Sequence, residues 1–191
     1  MRRGGFCVIV SAVIAVAATT ASAAEKGKLF TLTSPAFKDD AVLPVKYAGA
    51  ATCGAGSHGK NISPPLAWSN APPSAKSYAL IMIDPDGRRG MGSVHWVAYN
   101  IPAARHALKE GDGNAAAKDI TGGKNSRGTT LYTGPCGPPA DAPHHYVIQL
   151  IALDLAPGFL QPGLDRDEVL KMIDGHSLGP ASLVVRYRHQ P

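Results

Sequence analysis

Asp84 and Asp86, in the run Ile83-Asp84-Pro85-Asp86-Gly87, are the first residues whose types could do chemistry. His95 opens the next apolar segment, and His144 and His145 open a later one with Tyr146 beside them. Each has an ordinary explanation when taken singly, because Asp-Pro-Asp-Gly is a common turn and a histidine at a strand end is often a satisfied surface residue. Taken together they could form a site that combines carboxylate acceptors with imidazoles able to donate once protonated. Asp84, His95 and His144 would also suit a two-histidine, one-carboxylate metal site, or an acid-base pair for hydrolysis. The sequence has no P-loop or H-E-x-x-H. Gly54-Ala55-Gly56-Ser57-His58-Gly59 matches G-x-G-x-x-G. It runs into Asn61-Ile62-Ser63-Pro64-Pro65, which starts no helix to hold a pyrophosphate, so a glycine-rich surface loop is expected there.

The elements that must position these residues read mainly as strands. Short apolar segments rich in β-branched and aromatic residues lie at 29–33, 45–47, 77–83, 94–101, 146–153 and 182–188. The segment 78–83 is apolar on both faces, as expected of a strand sandwiched between two other layers. One helix is expected, with Asp165 as N-cap, Glu168 three residues on, apolar Val169, Leu170, Met172 and Ile173, and Gly175 as its stop. Long connections carrying turn residues fall at 51–65, 85–93 and 122–143, a length usually functional when it occurs in a compact domain.

The N-terminus reads as a secretory signal peptide: Arg2 and Arg3, an apolar run over 6–18, then Ala21, Ser22 and Ala23. The run is about 13 residues, short of the ~20 that cross a bilayer as a helix. Cleavage after Ala23 would leave 168 of the 191 residues as one domain over 24–191, in a periplasmic or secreted location. The formal charge would fall from +5 to +3 with the loss of two arginines. Lysine and arginine are scattered, so no nucleic-acid footprint is evident and no membrane span is expected. Three cysteines become two, Cys53 and Cys136, which read as a structural disulfide, with free thiols or a metal pair as alternatives.

The ordered motifs Asn61-Ile62-Ser63-Pro64-Pro65-Leu66-Ala67-Trp68, Asp84-Pro85-Asp86, His95-Trp96-Val97-Ala98-Tyr99-Asn100-Ile101-Pro102, Gly134-Pro135-Cys136-Gly137-Pro138-Pro139, His144-His145-Tyr146 and Gly175-His176 resemble the phosphatidylethanolamine-binding family, most of all its prokaryotic Raf-kinase-inhibitor-like branch. The resemblance covers about 29–188. It implies an antiparallel, Greek-key-like β-sandwich with few peripheral helices. It also implies a binding protein, not an enzyme, with neither cofactor nor metal. The implied pocket residues are Asp84, His95, Gly137, Pro139, His144 and Tyr146, with Asp86 bracing the loop. The implied ligand is a phosphate, a phospholipid head group or a similar small anion. Phosphoethanolamine would suit such a pocket, its phosphate meeting imidazolium and the Gly137 amide and its ammonium meeting Asp84. Inhibition or modulation of a partner protein is a further role that the resemblance raises but does not transfer.

Two departures from that branch stand out. Gly137 separates Cys136 from Pro138 where the branch usually has Cys-Pro-Pro, and the segment 50–60 is longer and richer in glycine. A Cys53–Cys136 bridge would tie the unusual loop to Cys136.

Overall fold

The computed structural model describes residues 1, 28–50, 58–136 and 142–189. Its centre is a six-stranded sheet made of β2 (Ala41–Val42), β9 (Ser177–Tyr187), β8 (His144–Leu153), β4 (Ser77–Asp84), β5 (Ser93–Pro102) and β7 (Thr121–Gly123), in that spatial order. A smaller sheet of β1 (Thr31–Thr33), β3 (Leu66–Ser69) and β6 (Ala107–Leu108) covers one face. All pairings are antiparallel except β2 with β9. The fold is therefore a mainly β sandwich with a non-sequential, Greek-key-like strand order.

Period-two alternation explains why the central strands are apolar throughout. Tyr78, Leu80 and Met82 of β4 pack between the two sheets with Trp96, Ile148, Leu150, Leu183, Leu66 and Trp68. Ala79 and Ile81 face the other way, into a second cluster with Val97, Tyr99, Ile151 and Leu153. That outer cluster is roofed by α2 (Arg166–Met172), which supplies Val169 and, just past its end, Ile173. The i, i+4 spacing puts both on one side of the helix, and each buried aliphatic side chain contributes about 1.5–3 kcal/mol. The capping box forms as the sequence predicts: the Asp165 carboxylate accepts from the Glu168 amide at 2.9 Å and the Glu168 carboxylate from the Asp165 amide at 2.9 Å.

Three expectations are corrected. Residues Val45–Tyr47 form a single 3-10 turn in place of a strand, because Pro44 leads into it and the Tyr47 ring is buried while its hydroxyl reaches Glu110 at 2.7 Å. Strand β9 begins at Ser177, five residues before the expected start, and the short strands β2, β3, β6 and β7 carry too few residues to show a period. A second short element, α1 (Gly87–Gly90), occupies the expected turn, and its inner residues Arg88 and Arg89 are left-handed, not helical. Among the described residues no helix is long and apolar enough to cross a membrane.

Candidate functional site

The site lies where β4, β5 and β8 end together. Asp84 is one step beyond the Ile83↔Val147 pair of β4 and β8, so it faces Tyr146 and lies diagonal to His144. Diagonal neighbours on one sheet face are within reach of long side chains. The Asp84 carboxylate is bonded to the His144 imidazole, Oδ2 to Nδ1, at 2.8 Å. Its Oδ1 accepts from the amides of Asp86 at 3.0 Å and Gly87 at 2.9 Å, which folds the Asp-Pro-Asp-Gly turn back onto the carboxylate. Asp84 is 3% exposed, so these three donors replace the water it has lost.

His95 owes its position to a β-bulge. Met82 pairs with Trp96 and Ile83 with Val94, so His95 is the extra residue on β5. A bulge inserts one residue and re-aims the side chains around it. Here Val94 packs against the outer cluster, whereas His95 stacks edge-on against Tyr146 at 5.2 Å on the same side as Trp96. The His95 ring is bonded through Nδ1 to the Thr133 carbonyl at 2.7 Å, and the Thr133 amide returns a bond to the His95 carbonyl at 3.0 Å. Since a carbonyl can only accept, Nδ1 carries hydrogen and Nε2 is left as the place for a second proton. Burial lowers the His95 pKa below the usual histidine value, against the opposing pull of the Thr133 carbonyl and the Asp84 charge.

The H-x-Y spacing in β8 puts His144 and Tyr146 on one face of the strand. Their rings stack at 6.5 Å and 25°. Tyr146 is fully buried, and desolvation together with the Asp84 carboxylate raises its pKa, so it stays a neutral phenol. Although the Asp84 charge acts on it, its hydroxyl makes no hydrogen bond of good geometry among the described residues.

Asp84, His95 and His144 line a common cavity of about 210 Å³ together with Arg88, Arg127 and Thr133. Tyr146 does not line it; the ring stands behind, between the two imidazoles. Asp86 is also outside the lining and braces the neighbouring strand, accepting from the His145 amide at 2.8 Å and bonded to its ring at 3.0 Å. The bond from the His145 backbone, then that from its ring, holds the Asp86 carboxyl below the usual range. Trp96, which could have walled the site, instead packs in the core edge-on to Tyr132 at 5.6 Å. Gly137, Pro139, Cys53 and most of the glycine-rich loop lie outside the described residues, as does the proposed leader. Cys136 borders the cavity, and its sulfur accepts from Arg127 at 3.0 Å.

Sequence reasoning missed Arg88, Arg127 and Thr133. Their one visible signal was membership of two long connections. The connection after β7 is shaped by Asn125, which is 6% exposed. Its side chain donates to the Leu131 carbonyl and accepts from the amides of Arg127 and Thr129. A structural asparagine of that kind looks no different in sequence from a solvated one. Among the described residues, no three or more His, Cys, Asp or Glu side chains converge to hold a metal ion.

A mainly β sandwich with a small polar cavity at the common end of three central strands defines a class of small-ligand binders. Comparison with known proteins gives the family: its description, phosphatidylethanolamine-binding protein, matches residues 33–188, and the chain belongs to that family. A protein of Methanothermobacter thermautotrophicus called UPF0098 is 40% identical over 159 residues, covering 82% of this chain and 97% of that one. The UPF0098 protein YbcL of Escherichia coli is 35% identical over 150 residues, 76% of this chain and 78% of YbcL. The crystal structure of YbcL, described as a new member of the mammalian PEBP family, superposes with a TM-score of 0.74 at 30% identity, covering 83% of this chain and 98% of that one. A Chlamydia trachomatis homologue, CT736, gives a TM-score of 0.70 at 33% identity over 83% of this chain and 97% of CT736. Family membership and fold together support a ligand-binding protein with the fold of that family.

Proposed function

We propose that the protein is exported, that it binds a phosphate-bearing or similarly anionic head group in the cavity bordered by His95 and His144, and that it releases this ligand unchanged. The observation that carries this reading is the state of Asp84, the only carboxylate in the lining among the described residues. Asp84 already takes three donors, whereas Arg127 and the two imidazoles supply positive charge or donors to the same space. A cavity in which the acid is occupied and the bases face inward favours an anion. It also changes the expected role of Asp84, which orients His144 and the turn more than it receives a ligand ammonium. His95 is held neutral by burial, so a bound anion must bring a proton with it or draw one onto Nε2. Binding should therefore tighten as pH falls from about 8 toward 6.

The leader over 1–23, with cleavage after Ala23, accounts for export, and modulation of a partner protein would then take place outside the cytoplasm. Calorimetric titration of inorganic phosphate and O-phosphoethanolamine into wild type, His95→Ala and His144→Ala tests the reading. Loss of heat in both variants with folding retained supports it. Equal affinity in all three proteins, or release of phosphate from the ester during the titration, would overturn it.

A further inference from the structure

A groove of about 510 Å³ opens beside the cavity, and the two share Asp84, Arg88, Ser93, Val94 and Ser126. Ile83 and Val94, both packed against the outer apolar cluster, lie in it, with Met91, Lys124 and Arg166 also in the lining. Its acidic side chains are engaged: Asp165 caps α2 and Asp167 pairs with Arg166 at 2.6 Å. Lys124 and Arg88, by contrast, make no side-chain hydrogen bond or ion pair among the described residues, so their donors are open to a ligand at the junction.

Arg88 stands at that junction on an unusual backbone. It has φ 52° and ψ 40°, and Arg89 follows with φ 60° and ψ 44°. Two successive non-glycine residues in the left-handed region are strained, and such strain persists only where the surroundings enforce it. The enforcing contacts are visible. A Cβ on Gly87 would lie 2.9 Å from both Asp84 Oδ2 and Ser93 Oγ, the Gly90 amide donates to the Asp86 carbonyl at 3.1 Å, and the Gly92 amide donates to the Gly87 carbonyl at 2.9 Å. The turn is thus clamped onto the Asp84 carboxylate, and the clamp delivers Arg88 to both cavities while Arg89 lines neither.

We propose that Arg88 is a specificity-determining residue that selects a phosphate monoester over inorganic phosphate, by bonding the ester's short polar organic part where it passes from the cavity, which holds the phosphate, into the groove. This inference rests on the anion reading given above. A guanidinium supplies several donors in a fixed fork, so it can bond the hydroxyl oxygens of such an organic part, which inorganic phosphate lacks. Glycerol 3-phosphate and inorganic phosphate are the probes, titrated into wild type, Arg88→Ala, Arg88→Gly and Arg89→Ala.

Wild type is expected to bind glycerol 3-phosphate more tightly than phosphate. Arg88→Ala should lose about tenfold or more in affinity for the ester, the scale of one charge-assisted hydrogen bond, and about twofold or less for phosphate. Arg89→Ala, with the same charge and strain but no place in either lining, should match wild type. Arg88→Gly should lose the ester as Ala does while melting about 2–3 °C higher, since glycine accepts the left-handed backbone. Equal ester affinity in wild type and Arg88→Ala, equal losses in the Arg88 and Arg89 variants, or a lower melting temperature for Arg88→Gly would each overturn the assignment. Wild type binding neither probe would instead sink the anion reading, and this inference with it.

Discussion

Removing the Asp84 carboxylate should separate its two jobs, holding the turn and holding His144. In Asp84→Ala the Gly87 amide, which is buried, and the half-buried His144 ring both lose their partner, while the exposed Asp86 amide can recover one from water. Bonds to a charged group contribute about 1.5–3 kcal/mol each, and breaking one side of a buried charged pair costs about 3–5 kcal/mol. Alanine is too small to refill the space, so no apolar packing offsets the loss. A total near 4 kcal/mol is expected. In Asp84→Asn one oxygen remains for the two backbone amides, and only the charge and the bond to His144 change, which should cost about 1–2 kcal/mol. For a chain of this size 1 kcal/mol moves the melting temperature by roughly 2–4 °C, so alanine should lower it by about 10 °C and asparagine by about 4 °C. Asp86→Ala is the contrast. Its pairing with His145 is exposed on both sides, 45% and 54%, and should be worth at most about 1 kcal/mol. Urea titrations of the four proteins with matching slopes would give the differences directly. Equal losses for alanine and asparagine, or a loss below about 1 kcal/mol for alanine, would refute the claim that Asp84 organises the site.

Two further outcomes follow from the same geometry. His95 has a folded pKa below its unfolded value, so the unfolded chain takes up a proton first as pH falls; stability should drop below about pH 6.5, level off once the folded ring protonates, and depend less on pH in His95→Gln, as urea midpoints at pH 8 and 5.5 would show. A Cys53–Cys136 bridge, closing a loop of roughly 80 residues, should contribute on the order of 4 kcal/mol, so reductant should lower the melting temperature by several degrees; two alkylatable thiols in the native, unreduced protein would refute the bridge.

Much of this architecture is local enough to be read along the chain. The double-faced apolar run of β4 requires a layer on each side, and both clusters are present. The Asp165 and Glu168 spacing requires a capping box, and the box forms within four residues. Period two in β8 places His144 and Tyr146 on one face without reference to anything distant. What no local pattern carries is the pairing between elements. Asp84 meets His144, 60 residues away, and not His95, because strand register decides which side chains lie diagonal to one another. His95 turns inward because a bulge in the β4–β5 ladder adds one residue, and a bulge depends on both strands at once. The segment at Val45–Tyr47 has strand-like residues yet makes a 3-10 turn, since burying the Tyr47 ring outweighs weak propensity in three residues. Arg88 adopts a left-handed backbone in a turn whose Gly87 is pressed against Asp84 and Ser93, residues that a different part of the ladder brings there. The chain alone therefore specifies strands, faces and caps through short-range periodicity and hydrogen bonding. The tertiary structure decides which polar groups meet, because register, bulges and enforced strain are properties of packed elements and not of neighbouring residues.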